Sequence, residues 1–111
     1  ENVINAPYRW GTVLCGSMFG MVVQRHRNFE TSWMILSSLR CDHTRARPKT
    51  VTGKGGGTSA HSDKGIKTEW PLYMQMPWAT PEECTLAIPP AYTQFIGEQL
   101  IAAVSVQEKL L

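Results

Sequence analysis

Charged residues, cysteines and long apolar runs are all scarce in this sequence of 111 residues. Only 18% of the residues are charged, while glycine, proline, methionine and tryptophan are plentiful, and this mixture indicates many turns and an apolar surface that needs a covering segment. No apolar run approaches the ~18 residues that cross a bilayer, and no signal peptide is recognisable. Three widely spaced cysteines do not make a disulfide framework and suit a reducing compartment. These features predict one small cytoplasmic domain.

Positive charge is concentrated between residues 40 and 67. This stretch contains seven basic and two acidic residues, whereas the whole chain has a net charge of only +2. A local excess of cations is expected of a surface that binds a polyanion, because neutralising phosphates releases condensed counterions. The alternative is a solvated surface loop. The residues that we expect to contact DNA are Arg45, Arg47, Lys49 and Lys54.

Residues 1–36 show the first organised pattern. Residues 12–15 predict a short strand that is broken at Gly16, and residues 22–31 predict a second strand. Alternation along the second strand predicts that Arg25 and Arg27 lie on one face. Two guanidiniums on one face repel each other unless an acceptor-rich group lies beside them, so this pair favours a ligand. An exposed edge strand with solvated arginines explains the same spacing.

Residues 39–69 show neither helical nor strand periodicity. The glycine-rich stretch 52–59 superficially resembles a phosphate-binding loop. Its order does not match the Gly-x-x-x-x-Gly-Lys-Ser/Thr pattern, and no apolar strand precedes it, so we exclude a nucleoside triphosphate site. A loop beside a nucleic-acid backbone and a plain linker remain the two interpretations.

The last third of the chain predicts regular structure again. The aromatic and methionine residues from Trp70 to Trp78 predict a core cluster. Residues 80–83 read Thr-Pro-Glu-Glu, which predicts a helix with a capping box that ends near Ile88. Pro90 predicts the first turn of another helix, which runs to about Val104 with an apolar stripe on one face and with Gly97 placed for close packing.

Three motifs resemble those of DNA cytosine-5 methyltransferases, in particular the compact phage or prophage type. The motifs are Glu1-Asn2-Val3, Gly20-Met21-Val22-Val23-Gln24-Arg25-His26-Arg27, and Ala87-Ile88-Pro89-Pro90-Ala91-Tyr92 with Ile96-Gly97. The likeness spans the chain, although residues 37–69 match loosely. It implies an α/β fold, namely the carboxy-terminal part of a Rossmann-like domain that uses S-adenosylmethionine. Residues 1–36 would end the catalytic domain, 37–78 would form a reduced DNA-recognition segment, and 79–111 would be helices that return to the catalytic domain.

The resemblance also implies roles for individual residues. Glu1 would be the acid that hydrogen-bonds or protonates N3 of a flipped cytosine. An arginine would contact the cytosine carbonyl, and of the two candidates, Arg25 and Arg27, we prefer Arg27. Pro90 and Tyr92 would line the S-adenosylmethionine pocket, although a plain core helix explains Tyr92 equally well. The implied partners are double-stranded DNA and the amino-terminal part of the same enzyme.

Two further motifs of this family, a Phe-x-Gly-x-Gly cofactor loop and a Pro-Cys nucleophile loop, do not occur in these 111 residues. We therefore expect a piece of a larger enzyme, cut at its front end, that catalyses little or no methyl transfer alone. The alternative function is a stand-alone nucleic-acid-binding module without catalysis. A structural fragment of a degenerate prophage gene is a third interpretation.

None of the cysteines is expected to replace the missing nucleophile. We assign Cys15, Cys41 and Cys84 to packing. A Cys-Asp-His run at 41–43, together with His61, is a weak zinc signal. Because no Cys-x-x-Cys pair accompanies it, we predict no metal.

Overall fold

The computed structural model of the protein describes residues 1–4, 7, 11–44, 48–52 and 65–110. The strands are β1 (Thr12–Leu14) and β2 (Arg27–Phe29), and the helices are α1 (Trp70–Tyr73), α2 (Pro81–Leu86) and α3 (Pro90–Leu110), with 3-10 turns at Gly16–Phe19 and Lys67–Glu69. The two strands form an antiparallel sheet. This sheet is far smaller than that of a complete Rossmann-like domain, so the predicted fold class stays a prediction.

Strand β2 lies between two neighbours. On one side it pairs with β1, with Thr12 opposite Phe29 and Leu14 opposite Arg27. On its other side Asn2 forms an isolated antiparallel bridge with Asn28, and their backbone groups exchange hydrogen bonds of 3.0 and 2.8 Å. The Glu-Asn-Val segment therefore runs beside β2.

The second predicted strand is much shorter than expected. β2 covers three residues rather than the ten of 22–31, and Arg25 lies outside it with a φ of 38°. A positive φ is uncommon for a residue other than glycine and breaks the alternation of a strand. The prediction that Arg25 and Arg27 share one strand face is therefore wrong. The side chain of Arg25 turns instead to three carbonyl groups in other segments.

A tight turn joins β1 to the segment before β2. The N–H of Gly16 donates to the carbonyl of Gln24 at 2.8 Å. A β-carbon at Gly16 would lie 1.8 Å from the carbonyl oxygen of Val23, so only glycine allows this approach. Gly20 ends the 3-10 turn with a φ of 70°. The turn thereby holds Cys15 beside the start of the β2 segment.

Helices α2 and α3 begin where the sequence predicts. Thr80 is the N-cap of α2 and forms a complete capping box with Glu83, which confirms that prediction. Helix α3 begins at Pro90 but continues to Leu110 instead of ending near Val104. No glycine or proline interrupts residues 98–110, so nothing in the chain stops the helix at 104. A β-carbon at Gly97 would have no atom of another described segment within 4 Å, so no element described here packs closely at this glycine.

One core contains residues from all three predicted segments. Its members are Leu14, Met21, Val23, Phe29, Val51, Trp70, Met74, Ala79, Cys84 and Tyr92. The predicted Trp70–Trp78 cluster is only partly in this core. Trp70 and Met74 are buried in it, whereas Leu72 is 66% and Trp78 70% exposed. None of the helices described is both long and apolar enough to span a membrane.

Candidate functional site

Glu1 and Arg27 form an ion pair on adjacent chain segments. The bridge between Asn2 and Asn28 aligns the two segments, and the Glu1 Oε1 atom lies 3.3 Å from the Nε atom of Arg27. The Nη1 group of Arg27 also donates a 2.7 Å hydrogen bond to the His26 carbonyl, which holds the guanidinium against its own strand. The two side chains are 22% (Arg27) and 32% (Glu1) exposed, so a ligand can reach both.

Arg25, the other predicted catalytic arginine, is engaged inside the protein. Its Nε, Nη1 and Nη2 groups donate to the carbonyls of Ala87 (2.9 Å), Val51 (2.8 Å) and Thr85 (2.8 Å). Thr85 and Ala87 lie at the end of α2, where helix carbonyls have no partner within the helix. Burial, and then the nearby charge of Arg27, lower the pKa of Arg25 to about 10. Arg25 therefore clamps α2 and residue 51 to the segment before β2.

The predicted cofactor residues at the start of α3 do not form an open pocket among the described residues. Tyr92 is fully buried, and its hydroxyl donates to the carbonyls of Arg25 (2.9 Å) and Gln24 (3.2 Å). Its ring packs against Phe19 and Phe29, and burial raises the pKa of the Tyr92 hydroxyl above its usual value. Pro90 is half-buried. Because Tyr92 has no surface left for a ligand, this pair does not fit S-adenosylmethionine as it stands.

Three of the four predicted DNA contacts, Arg45, Arg47 and Lys54, lie outside the described residues, as does His61. Lys49 is described and is half-buried. Its backbone forms a parallel bridge with Val23, through hydrogen bonds to the Val22 carbonyl (2.8 Å) and from the Gln24 amide (3.3 Å). The basic stretch is thereby attached to the core at this point.

A hollow of about 440 Å³ lies at the end of the sheet where Thr12 pairs with Phe29. Its lining consists of Gly11, Thr12, Phe29, Thr31, Ser32, Trp33, Met34 and Ile35. The buried indole nitrogen of Trp33 has no hydrogen-bond partner among the described residues. Neither Glu1 nor Arg27 lines this hollow, so the ion pair and the hollow are separate features.

A cluster of two cysteines and two histidines is the feature that sequence reasoning missed. One ligand atom from each of Cys15, His26, Cys41 and His43 lies within 4.8 Å of all the others. The segment 41–43 is a weak zinc signal in the sequence, but Cys15 and His26 are 26 and 15 positions before Cys41, with no short spacing to mark them. Assigning Cys41 to packing is wrong, because this residue is exposed, whereas Cys15 and Cys84 are buried.

Hydrogen bonds hold the parts of the cluster in place. The Ser17 hydroxyl lies 3.2 Å from the Cys15 sulfur and accepts a 3.0 Å bond from the Asp42 amide. The side-chain amide nitrogen of Gln24 lies 3.1 Å from Nδ1 of His26. Burial raises the pKa of the Cys15 thiol, and burial together with His43 lowers the pKa of His26, which favours its neutral imidazole.

Comparison of the chain with protein-family models, curated proteins and solved structures found no match.

Proposed function

We propose that this chain is the carboxy-terminal part of an S-adenosylmethionine-dependent DNA cytosine-5 methyltransferase, in which Glu1 and Arg27 contact the flipped cytosine. The observation that carries the proposal is the 3.3 Å pairing of the Glu1 carboxylate with the Arg27 guanidinium. These two groups belong to separate motifs, 26 positions apart, that the methyltransferase resemblance assigns to the same base. A chance likeness in two short motifs gives no reason for their side chains to meet.

The chemistry of the reaction requires such a pair. Addition of a thiolate to C6 of cytosine makes C5 nucleophilic and moves negative charge towards N3 and the adjacent carbonyl oxygen. An acid at N3 and a cation at the carbonyl stabilise that charge in the transition state. Glu1 supplies the acid and Arg27 supplies the cation. Arg25 is unsuited to this contact, because its donors hold α2 and residue 51.

Other parts of the proposed enzyme contribute the nucleophile and the cofactor cradle. The described residues at 90 and 92 do not fit S-adenosylmethionine, and no Pro-Cys loop occurs in the sequence. The apolar side chains of Leu100, Ile101 and Val104 lie on one side of the second half of α3 and are exposed. In the proposal this face packs against the remainder of the catalytic domain, which would also complete the cofactor pocket.

The test is to express the chain in frame with the coding sequence that precedes it and to measure methyl transfer to C5 of cytosine in duplex DNA. We expect transfer by this longer protein and none by the 111-residue chain. Glu1→Gln should lower kcat by about 10²–10⁴-fold, the range for removal of a general acid. Glu30→Gln is the matched control, since Glu30 is an exposed carboxylate just beyond β2.

Three outcomes would contradict the proposal. They are robust turnover by the 111-residue chain, unchanged kcat in the Glu1→Gln variant, and a start codon directly before Glu1. A start codon there, together with DNA binding, would favour the stand-alone nucleic-acid-binding module.

A further inference from the structure

We propose that Cys15, His26, Cys41 and His43 bind one zinc ion in a closed, tetrahedral structural site. Two thiolates and two imidazoles are a ligand set that selects zinc, and four protein ligands leave no open position for catalysis. This site is independent of the methyltransferase proposal, because it depends only on the four side chains and their surroundings. It replaces the prediction that the chain binds no metal.

The interatomic distances approach those of a zinc tetrahedron. Nitrogens about 2.0–2.1 Å from a tetrahedral zinc are about 3.3–3.4 Å apart, and a zinc-bound sulfur at about 2.3 Å lies about 3.5–3.6 Å from each nitrogen. The Nε2 atoms of His26 and His43 are 3.3 Å apart, and the Cys15 sulfur is 3.6 Å from Nε2 of His43. These two distances already match the tetrahedral values, and all four ligand atoms lie within 4.8 Å of one another.

Cys41 is the ligand that must adjust. Its sulfur lies 3.1 Å from Nε2 of His26 and 2.6 Å from Nε2 of His43, both shorter than the tetrahedral distance. The residue is exposed and belongs to neither a helix nor a strand. An outward movement of about 1 Å would complete the tetrahedron.

Hydrogen bonding among these four groups does not by itself explain their convergence. Each neutral imidazole has one N–H, and two Nε2 atoms that face each other can share only one proton between them. A thiol is a weak donor and a weak acceptor. A cation satisfies all four lone pairs at once. It would also offset the burial that raises the pKa of the Cys15 thiol.

The groups around the cluster match those that orient metal ligands elsewhere. The Ser17 hydroxyl can donate to the Cys15 sulfur, because its oxygen already accepts the Asp42 amide. With its amide oxygen turned to Nδ1, Gln24 accepts the Nδ1–H of His26 and leaves Nε2 free for the metal. Oδ1 of Asp42 accepts hydrogen bonds from the backbone and hydroxyl of Thr44, which shapes the turn that carries His43.

The ion would fasten the segment after β2 to the core. Cys15 follows β1 and His26 precedes β2, and the turn at Gly16 ties these two segments together. Cys41 and His43 come from residues that lack regular structure. Metal binding closes the chain between His26 and Cys41, and because the site exists only in the folded chain, the binding free energy adds to the free energy of unfolding. The same ion steadies His26, whose carbonyl holds the Arg27 guanidinium.

The first measurement is the metal content of the full chain after purification and dialysis, together with spectra of the cobalt(II)-substituted protein. We expect one zinc ion per chain. Cobalt should give the visible bands of tetrahedral coordination and a thiolate-to-cobalt charge-transfer band. A chain that retains no zinc, and gives only the pale spectrum of octahedral cobalt, would overturn the proposal.

Variants then identify the ligands. Loss of a residue that hydrogen-bonds to a metal ligand lowers metal affinity by ~10–100-fold, and we expect a loss of zinc affinity in that range for Gln24→Ala. Cys41→Ser and His43→Asn should lower zinc affinity by more than this, because each removes a ligand. Cys41→Ser is the sharpest variant, because an exposed serine there leaves the core unchanged. Cys84→Ala and His61→Asn are the matched controls and should keep full zinc content. Retention of zinc by both Cys41→Ser and His43→Asn, or its loss in His61→Asn, would assign the ion to other residues.

Discussion

Arg25 and Arg27 are two positions apart and have different surroundings. Arg25 has a positive φ and donates three hydrogen bonds to backbone carbonyls of other segments. Arg27 lies in β2 and pairs with a carboxylate at a partly exposed position. The first arrangement stabilises the fold, while the second leaves a guanidinium accessible to a ligand.

Replacing each arginine with alanine should lower the free energy of unfolding by different amounts. Arg25→Ala should lower the free energy of unfolding by about 3 kcal/mol, because it leaves three carbonyls at partly buried positions without a charged donor. Arg27→Ala should lower it by no more than about 1 kcal/mol, since a partly exposed ion pair contributes little. Urea unfolding monitored by circular dichroism measures both, with exposed Arg40→Ala as the control. Equal losses for Arg25→Ala and Arg27→Ala would contradict this division of roles.

At the scale of elements, the turn after β1 decides where the functional groups lie. Its backbone contact with residues 23 and 24 fixes the distance between Cys15 and His26. It also sets the start of β2, and hence the position of Arg27 opposite Glu1. The close backbone contact that Gly16 allows thus helps to position both the ion pair and the cysteine–histidine cluster.

A pair of glycine substitutions tests this element. Gly16→Ala should destabilise the protein by at least about 2 kcal/mol, because its β-carbon would meet a backbone carbonyl that cannot move aside. Gly97→Ala, in α3, meets no atom of the other described residues and should stabilise the protein by about 0.5–1 kcal/mol. Thermal unfolding of both variants provides the measurement. A neutral Gly16→Ala would show that the turn is not in close contact with residue 23.

At the scale of the whole molecule, the basic stretch and the exposed apolar residues of α3 come from different parts of the chain. The basic stretch of 40–67 joins the core at the bridge between Val23 and Lys49. Exposed apolar residues are numerous on the second half of α3. In the proposed enzyme the first region meets DNA and the second meets the rest of the catalytic domain.

Salt dependence tests the first of these contacts. If Arg45, Arg47, Lys49 and Lys54 neutralise four phosphates, log K for duplex DNA should fall against log salt with a slope of about −3.6. Replacing Arg45, Arg47 and Lys54 with glutamine should reduce the slope to about −0.9. Lys109→Gln, at the far end of α3, should leave it unchanged. A slope near zero for the unmodified protein would show that the stretch does not bind phosphates.

The sequence by itself determined the features that depend on neighbours along the chain. The start of α2 is one, because Thr80 and Glu83 complete the capping box within four positions. The position of β1 and the first residue of α3 are others, since breaking residues mark them locally. The end of α3 was harder to predict, because no single residue stops the helix.

Only the tertiary structure decided which distant side chains meet. Three carbonyls from two distant segments draw Arg25 out of the strand, and no periodicity in the sequence records that competition. The Glu1–Arg27 pair requires the bridge at Asn2, and the metal ligands converge across separations of up to 28 positions. Such contacts join residues that are far apart in the sequence and form only when the chain closes long loops around a shared core. The spacing of neighbouring residues therefore does not predict them.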